Sequence, residues 1–375
     1  MTILHLRSAD IYGSPERLII GQCRHLPSFD FVCASFVRGQ RENRFLRQCE
    51  KNGLLTATIR ESFVGDFRVI RQIRQVIEQH DVSLLVSHDY KSNFCGCFAT
   101  RRAGIKQVAY FHGVTSEDVK VGLYNLIDKF TRRRMDRVIA VSAMTARFLQ
   151  AQGLPSDKIE VVPNAVDPAT FSYERPLRSD AEGRCRIVAV GRFSREKGFD
   201  LLLEAASAIR CQAPPFELLL YGVGPEEQRL RDRVGRLGLG DVVRFGGFVD
   251  DILPILREVD FMVMPSRSEG MPVGILEAWS QQVGVLATSV GGIPEMIESG
   301  RSGLLVPPEN VAELSDKLLW ALNHRDRMDQ FGRAGYDTLN EKYTYTVQAE
   351  RLASIYSEVI AQKVRHKPAN RSARL

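Results

Sequence analysis

The chain has 375 residues, 44% of them hydrophobic and 26% charged, which suits a globular protein of two ordinary domains and excludes an extended disordered chain. A net charge of +6 and an isoelectric point near 8.9 are mild for this length, and the basic residues are dispersed, so nucleic acid is not implied as a partner. No run approaches 18 apolar residues and the start, Met-Thr-Ile-Leu-His-Leu, lacks the features of a secretion signal, so a cytoplasmic protein is expected, the inner face of the cell membrane included.

Short apolar runs alternate with amphipathic segments of helix length, the pattern of parallel sheets covered by helices on both faces. In the first half the runs are 3–6, 84–86, 108–111, 138–141 and 160–162; in the second they are 187–190, 218–221, 242–245, 261–264, 285–287 and 304–306. The fold class predicted is therefore α/β, with two Rossmann-like domains. Residues 1–167 form the first and 168–347 the second; the polar stretch 168–183, with two prolines, reads as the linker, and 363–375 as an unstructured tail. Ligands in open α/β sheets bind outside the carboxyl ends of the strands. His88, His112, Ser142, Asn164, Gly191, Gly222, Gly246, Ser266 and Gly291 all follow strand-like runs closely, so both domains point a functional edge at one shared cleft.

Taken in chain order, His88-Asp-Tyr-Lys91 reads either as a lining of the acceptor side or as a helix start. Cys95 and Cys97 have no second pair to complete a zinc site, so the seven cysteines are expected to be reduced and mostly buried. His112-Gly113 closes the run 108–111 and is placed either for ligand contact or as a buried structural histidine. Arg132-Arg-Arg134 with Arg137 reads as a solvated helix face, or as a patch for anionic lipid head groups or a phosphorylated acceptor.

In the second half, Gly191-Arg-Phe-Ser-Arg-Glu-Lys-Gly198 joins a strand to a helix, with Asp200 as a candidate cap. Such a turn directs backbone N–H groups at an anion, and Arg192 and Lys197 add charge-assisted contacts. Tyr221-Gly-Val-Gly-Pro225 is either a nucleotide-contacting loop or a plain turn. Arg244-Phe-Gly-Gly-Phe-Val249 offers free amides and an aromatic ring near a base.

Glu269-Gly-Met-Pro-Val-Gly-Ile-Leu-Glu277 carries two carboxylates eight positions apart, which read either as surface charges or as a pair of ligand-binding groups. A largely helical connection would separate them by roughly 12 Å, a span that suits a ribose and a sugar joined by a diphosphate. Gly291-Gly-Ile-Pro-Glu295 permits close approach of backbone to a ligand, or is a tight turn.

With these residues the chain resembles the retaining glycosyltransferases of family 4, which have the GT-B fold. The likeness runs from Met1 to about Ile360 and rests on five motifs in order: 111–113, 162–167, 190–198, 269–277 and 291–295. It implies a last helix, about 348–361, crossing back to the first domain. Arg192 and Lys197 would bind the donor diphosphate, Glu277 the ribose and Glu269 the donor sugar, with His112 near the reacting centre. His112, Arg192, Lys197 and Glu269 are thus the catalytic candidates. Donor binding would also draw on Gly13, Gly191, Gly222, Val249, Gly270, Met271, Pro272 and Val273, and the acceptor side on Ser14, His88 and Asn164. Many relatives carry paired glycines where Gly13-Ser14 stands, so acceptor positioning is expected to differ here.

The resemblance implies no cofactor and no metal, and the sequence fits: no Asp-x-Asp string follows a strand, while two cations are available in place of Mg²⁺. The implied partners are a nucleoside-diphosphate sugar, with uridine favoured by family frequency, and a saccharide or lipid-linked acceptor. Segments 88–93 and 111–118 resemble members associated with exopolysaccharide assembly. Retention is expected by same-face attack, since no carboxylate nucleophile stands out on the motif-bearing strand ends. The rival reading is a degenerate transferase serving as a nucleotide-sugar-binding scaffold. An NAD-dependent oxidoreductase is disfavoured because 11–15 does not supply G-x-G-x-x-G.

Overall fold

The computed structural model describes residues 1–9, 12–39, 42–63, 65–113, 131–168 and 183–362, so the inner part of the expected linker and the tail lie outside the described residues. Strands β1 (Thr2–Arg7), β2 (Asp30–Arg38), β3 (Leu55–Glu61), β4 (Val82–Ser87), β5 (Lys106–Phe111), β6 (Arg137–Ala140) and β7 (Ile159–Val161) pair in the order β3-β2-β1-β4-β5-β6-β7. Strands β8 (Cys185–Val190), β9 (Phe216–Tyr221), β10 (Val243–Gly247), β11 (Phe261–Met264), β12 (Gly284–Thr288) and β13 (Leu304–Val306) form a second sheet, β10-β9-β8-β11-β12-β13. The strand pairs are parallel, as continuous apolar runs without polar alternation require.

All eleven expected runs fall on strands, and two strands were not expected. The run Phe31–Val37 of β2 is as apolar as its neighbours, so its signal was available. Edge strand β3 is half polar and buries only Ile59 completely, which hides it.

Strand order reverses beside β1 and β4 in one sheet and beside β8 and β11 in the other, the places where crevices open in such sheets. The last helix, Tyr345–Ala361, is capped by the Thr344 side chain and sets Leu352, Ile355, Tyr356 and Val359 into the first domain's core beside Ile19, Cys23 and Phe29. It returns to the first domain as the resemblance implied, three residues earlier than expected. Helix Ser14–His25 meets it at Gly21, where a Cβ would lie 2.1 Å from the Tyr345 ring.

Six of the seven cysteines are buried and Cys211 is exposed. The basic cluster is divided: Arg133 and Arg134 are exposed, as a solvated face requires, whereas Arg132 is buried with its guanidinium 4.5 Å from the Phe111 ring centre and Arg137 approaches Glu160. Among the described residues no helix is long and apolar enough to cross a membrane.

Candidate active site

The loop after β8 is shaped by neighbouring backbone. Gly222 (φ +143°) follows β9, and a Cβ there would lie 1.9 Å from the Gly191 carbonyl oxygen; Gly198 (φ +66°) would put one 2.0 Å from that of Pro265. Both glycines are needed for packing of loop on loop. Gly222, expected at the donor, thus sits directly against the loop that carries Arg192 and Lys197.

Residues Arg195–Lys197 make a short 3-10 turn, and helix Phe199–Ile209 begins at Gly198, so Asp200 is not its cap. Asp200 accepts two hydrogen bonds from Arg267, at 2.7 and 2.9 Å. Burial pushes the Asp200 carboxyl up, but the Arg267 bonds outweigh it and hold it below the usual range. Arg267 also donates to the Arg195 carbonyl and, from its backbone, to that of Glu196, clamping the 194–198 turn to the loop after β11. Sequence reasoning missed Arg267.

The clamp brings Lys197 to Glu269. Lys197 Nζ donates to Glu269 Oε1 at 2.7 Å, and Ser266 Oγ donates to the same oxygen at 2.7 Å. The Lys197 stem lies over Gly191, 3.5 Å from where a Cβ would stand. The Glu269 side chain is 8% exposed, against 27% for Lys197, so the pair lines a crevice instead of a surface. The cation expected on the diphosphate and the carboxylate expected on the sugar are thus one cluster. Arg192 is exposed on the rim.

The connection between the two glutamates is helical only in its second half. Helix Val273–Ser280 begins only after Pro272, so 269–272 is loop and the roughly 12 Å axial span has no basis. Glu277 lies within that helix and receives Arg17 Nη2 from the first domain at 2.5 Å. Met271, Pro272 and Val273 are buried. Val249 is half-buried against the second domain's core beside exposed Phe248.

Across the crevice the domains meet through glycines. A Cβ at Gly270 would fall 1.8 Å from the His112 carbonyl oxygen, and one at Gly113 (φ +121°) 3.0 Å from Gly270 Cα. Gly291 (φ +55°) faces the Glu269 carbonyl at 1.8 Å by the same measure, and Gly292 N–H donates to the Gly270 carbonyl at 2.7 Å. The paired glycines therefore pack closely on protein backbone. Glu295 accepts from the amides of Ala143 and Met144, each at 2.7 Å. Asn164, expected on the acceptor side, is buried in this seam with its amide donating to the Met271 carbonyl at 2.7 Å.

His112 heads a histidine ladder. His5 Nδ1 and His88 Nε2 share a hydrogen bond at 2.9 Å, and the His88 ring stacks on His112 at 5.9 Å. His88 is 3% exposed behind His112, so its side chain does not line the acceptor side as expected; the apolar strand below it draws it inward. Burial pushes His5 and His112 down to about 3 and His88 well below its ordinary value, so all three are neutral near pH 7.

The unfolded chain, with ordinary histidines, binds these protons first as pH falls below about 6.5, so this stabilisation is lost on acidification. Calorimetry is expected to show the melting temperature falling between pH 7 and 5, before most carboxylates titrate. A flat profile there would contradict the neutral ladder.

Arg7 donates to the His88 carbonyl and to Glu16 Oε1, each at 2.9 Å, and Glu16 Oε2 accepts the Gly13 N–H at 2.9 Å. The Gly13 amide, expected at the donor, is thereby bonded to Glu16. Ser14 Oγ accepts from Arg17 at 3.2 Å. Neither Arg7 nor Arg17 was anticipated.

Residues 16–170 match the family model Glycosyltransferase Family 4, and residues 184–324 match the model Glycosyl transferases group 1. The chain belongs to glycosyltransferase family 4, the two matches lying one on each domain. AmsK of Erwinia amylovora, an amylovoran biosynthesis glycosyltransferase, is 28% identical over 57% of this chain and 54% of its own. A GDP-mannose-dependent phosphatidylinositol monomannoside mannosyltransferase of Mycobacterium tuberculosis is 31% identical over 58% and 60%. The matched part of the chain spans little more than half the length of these curated relatives. Among solved structures, Anabaena HepE in complex with UDP-glucose superposes with a TM-score of 0.83 over 96% of this chain and all of its own, at 19% identity. Sucrose-phosphate synthase of Thermosynechococcus elongatus gives 0.81 over 96% and 100%, at 17%. The fold is GT-B.

Proposed function

We propose that the protein is a retaining glycosyltransferase that moves a sugar from a nucleoside-diphosphate sugar to a saccharide or lipid-linked acceptor in cell-surface polysaccharide or glycolipid synthesis. The observation that carries this reading is the Lys197–Glu269–Ser266 cluster, set at the β8/β11 crevice and facing His112–Gly113 of the other domain. A cation held by a carboxylate beside strand-end amides suits a sugar diphosphate. Uridine is the first candidate base, since HepE holds UDP-glucose; the mannosyltransferase relative, which uses GDP-mannose, makes guanine the second.

In this reading Glu269 accepts hydrogen bonds from hydroxyls of the donor sugar while Lys197 and Arg192 lie against the diphosphate. The acceptor hydroxyl attacks from the face that the phosphate leaves. Its proton passes to the departing phosphate oxygen, and Lys197 and Arg192 stabilise the growing charge there, the electrostatic effect that usually dominates. Neutral His112 can hydrogen-bond the sugar without adding charge. The glycine seam holds the domains together and excludes water, which limits hydrolysis of the donor.

For Glu269→Ala the expected outcome is loss of transfer with nucleoside-diphosphate binding retained. Calorimetry in which that affinity vanishes would move Glu269 to the nucleotide side. Because two side-chain cations serve the diphosphate, transfer is expected to persist in excess EDTA; loss restored by Mg²⁺ would overturn that part. Release of free nucleoside diphosphate on mixing donor, protein and a membrane extract separates an enzyme from a scaffold. The presence of Arg192, Lys197, Glu269 and Glu277 together favours the enzyme.

A further inference from the structure

Arg17 spans the cleft from the first turn of helix Ser14–His25. Its Nη2 lies 2.5 Å from Glu277 Oε1 and 3.2 Å from Ser14 Oγ, and its Nη1 donates to the Asp250 carbonyl at 3.1 Å. One guanidinium thus ties the N-terminal start of a first-domain helix to two separate elements of the second domain. The Arg17 side chain is 28% exposed and that of Glu277 12%, so the pair is shielded well beyond an ordinary surface ion pair. Glu277 lies within a helix, and the donated hydrogen bond fixes which way its carboxylate faces. A carboxylate oxygen has two lone pairs, so Oε1 can keep Arg17 while Oε1 and Oε2 together receive a ribose diol.

We propose that Arg17 is a positioning residue: through Glu277 it aims the carboxylate that receives the donor ribose and couples occupancy of the nucleotide site to closure of the two domains. The proposal rests on the reading of Glu277 as the ribose carboxylate. It assigns the link between nucleotide site and closure to one side chain, outside the motifs that bind the donor. Without Arg17 the second domain retains its own nucleotide contacts, but the domains sample open arrangements in which the acceptor is misplaced and water enters.

The test compares wild type with R17M, R17K and E277Q. Uridine diphosphate binding is followed by calorimetry, with guanosine diphosphate as the second probe, and the radius of gyration by solution scattering. kcat and KM for transfer, the fraction of donor hydrolysed and melting temperatures complete the set. R17M is expected to bind the nucleotide within about twofold of wild type, to have a larger radius of gyration, and to lose about tenfold or more in kcat while hydrolysing a larger share of donor. R17K, which keeps one charge-assisted donor, is expected to recover part of the closure and of kcat and serves where R17M does not fold. E277Q is expected to lose nucleotide affinity.

Unchanged affinity in E277Q removes the ribose assignment and the proposal with it. If E277Q loses affinity while R17M keeps wild-type kcat and radius of gyration, the coupling is overturned and the ribose assignment stands. Loss of affinity in R17M equal to that in E277Q makes Arg17 a direct ligand and also overturns the proposal.

Discussion

Replacing Lys197 by alanine is expected to lower kcat about 10²- to 10³-fold while leaving the melting temperature within a few degrees of wild type. The side chain is part-exposed and belongs to no core cluster, so little packing is lost. Glu269 keeps its bond from Ser266, although a carboxylate this shielded loses the cation that faces it, which costs some stability. The catalytic loss has a separate origin, since the charge that develops on the leaving phosphate would face one cation fewer. Initial rates of nucleoside-diphosphate release beside a melting curve make the comparison. Near-normal transfer at an unchanged melting temperature would remove Lys197 from the mechanism.

Gly270→Ala is expected to abolish measurable transfer, a loss of at least about 10²-fold, with nucleoside-diphosphate binding retained. The added Cβ would stand 1.8 Å from the His112 carbonyl oxygen, and backbone lies on both sides of that contact, so no side chain can swing away. The domains must separate there, taking His112 from Glu269. Gly274→Ala is the control: its Cβ would meet only the flexible Met264 Cε, at 3.4 Å, and activity is expected to stay near wild type. Turnover and calorimetry on both variants decide the matter. Full transfer by Gly270→Ala would show that the seam is not part of the working enzyme.

The difference between what was legible and what was not follows from range. Eleven strand runs could be read because each is a local pattern of apolar residues, whereas the returning helix was implied by the family resemblance alone. The motifs at 191–198 and 269–277 were legible for a similar reason, as strand ends that break into glycine, proline and charge. The partners that give those motifs their geometry are distant in sequence. Arg17 and Glu277 are 260 residues apart, Ala143 and Glu295 152, and Arg267 and Asp200 67.

No local rule couples such pairs, so Arg17, Arg7 and Arg267 passed as ordinary charges. Glycines were a halfway case: Gly222, Gly291 and Gly292 announced that something approaches closely, and it proved to be other backbone. The stretch 88–91 read equally as acceptor lining or helix start, and it is a helix start with Asp89 as the cap, because a histidine at a strand end looks the same in sequence whether its ring faces the cleft or stacks behind another.

The central claim is that the β8/β11 crevice receives a nucleoside-diphosphate sugar. Calorimetric titration of wild type and E277Q with uridine, guanosine and adenosine diphosphates and their sugars tests it most directly. One saturable site for one base, lost in E277Q, is predicted. Absence of binding by every diphosphate, or binding that E277Q leaves untouched, would contradict it.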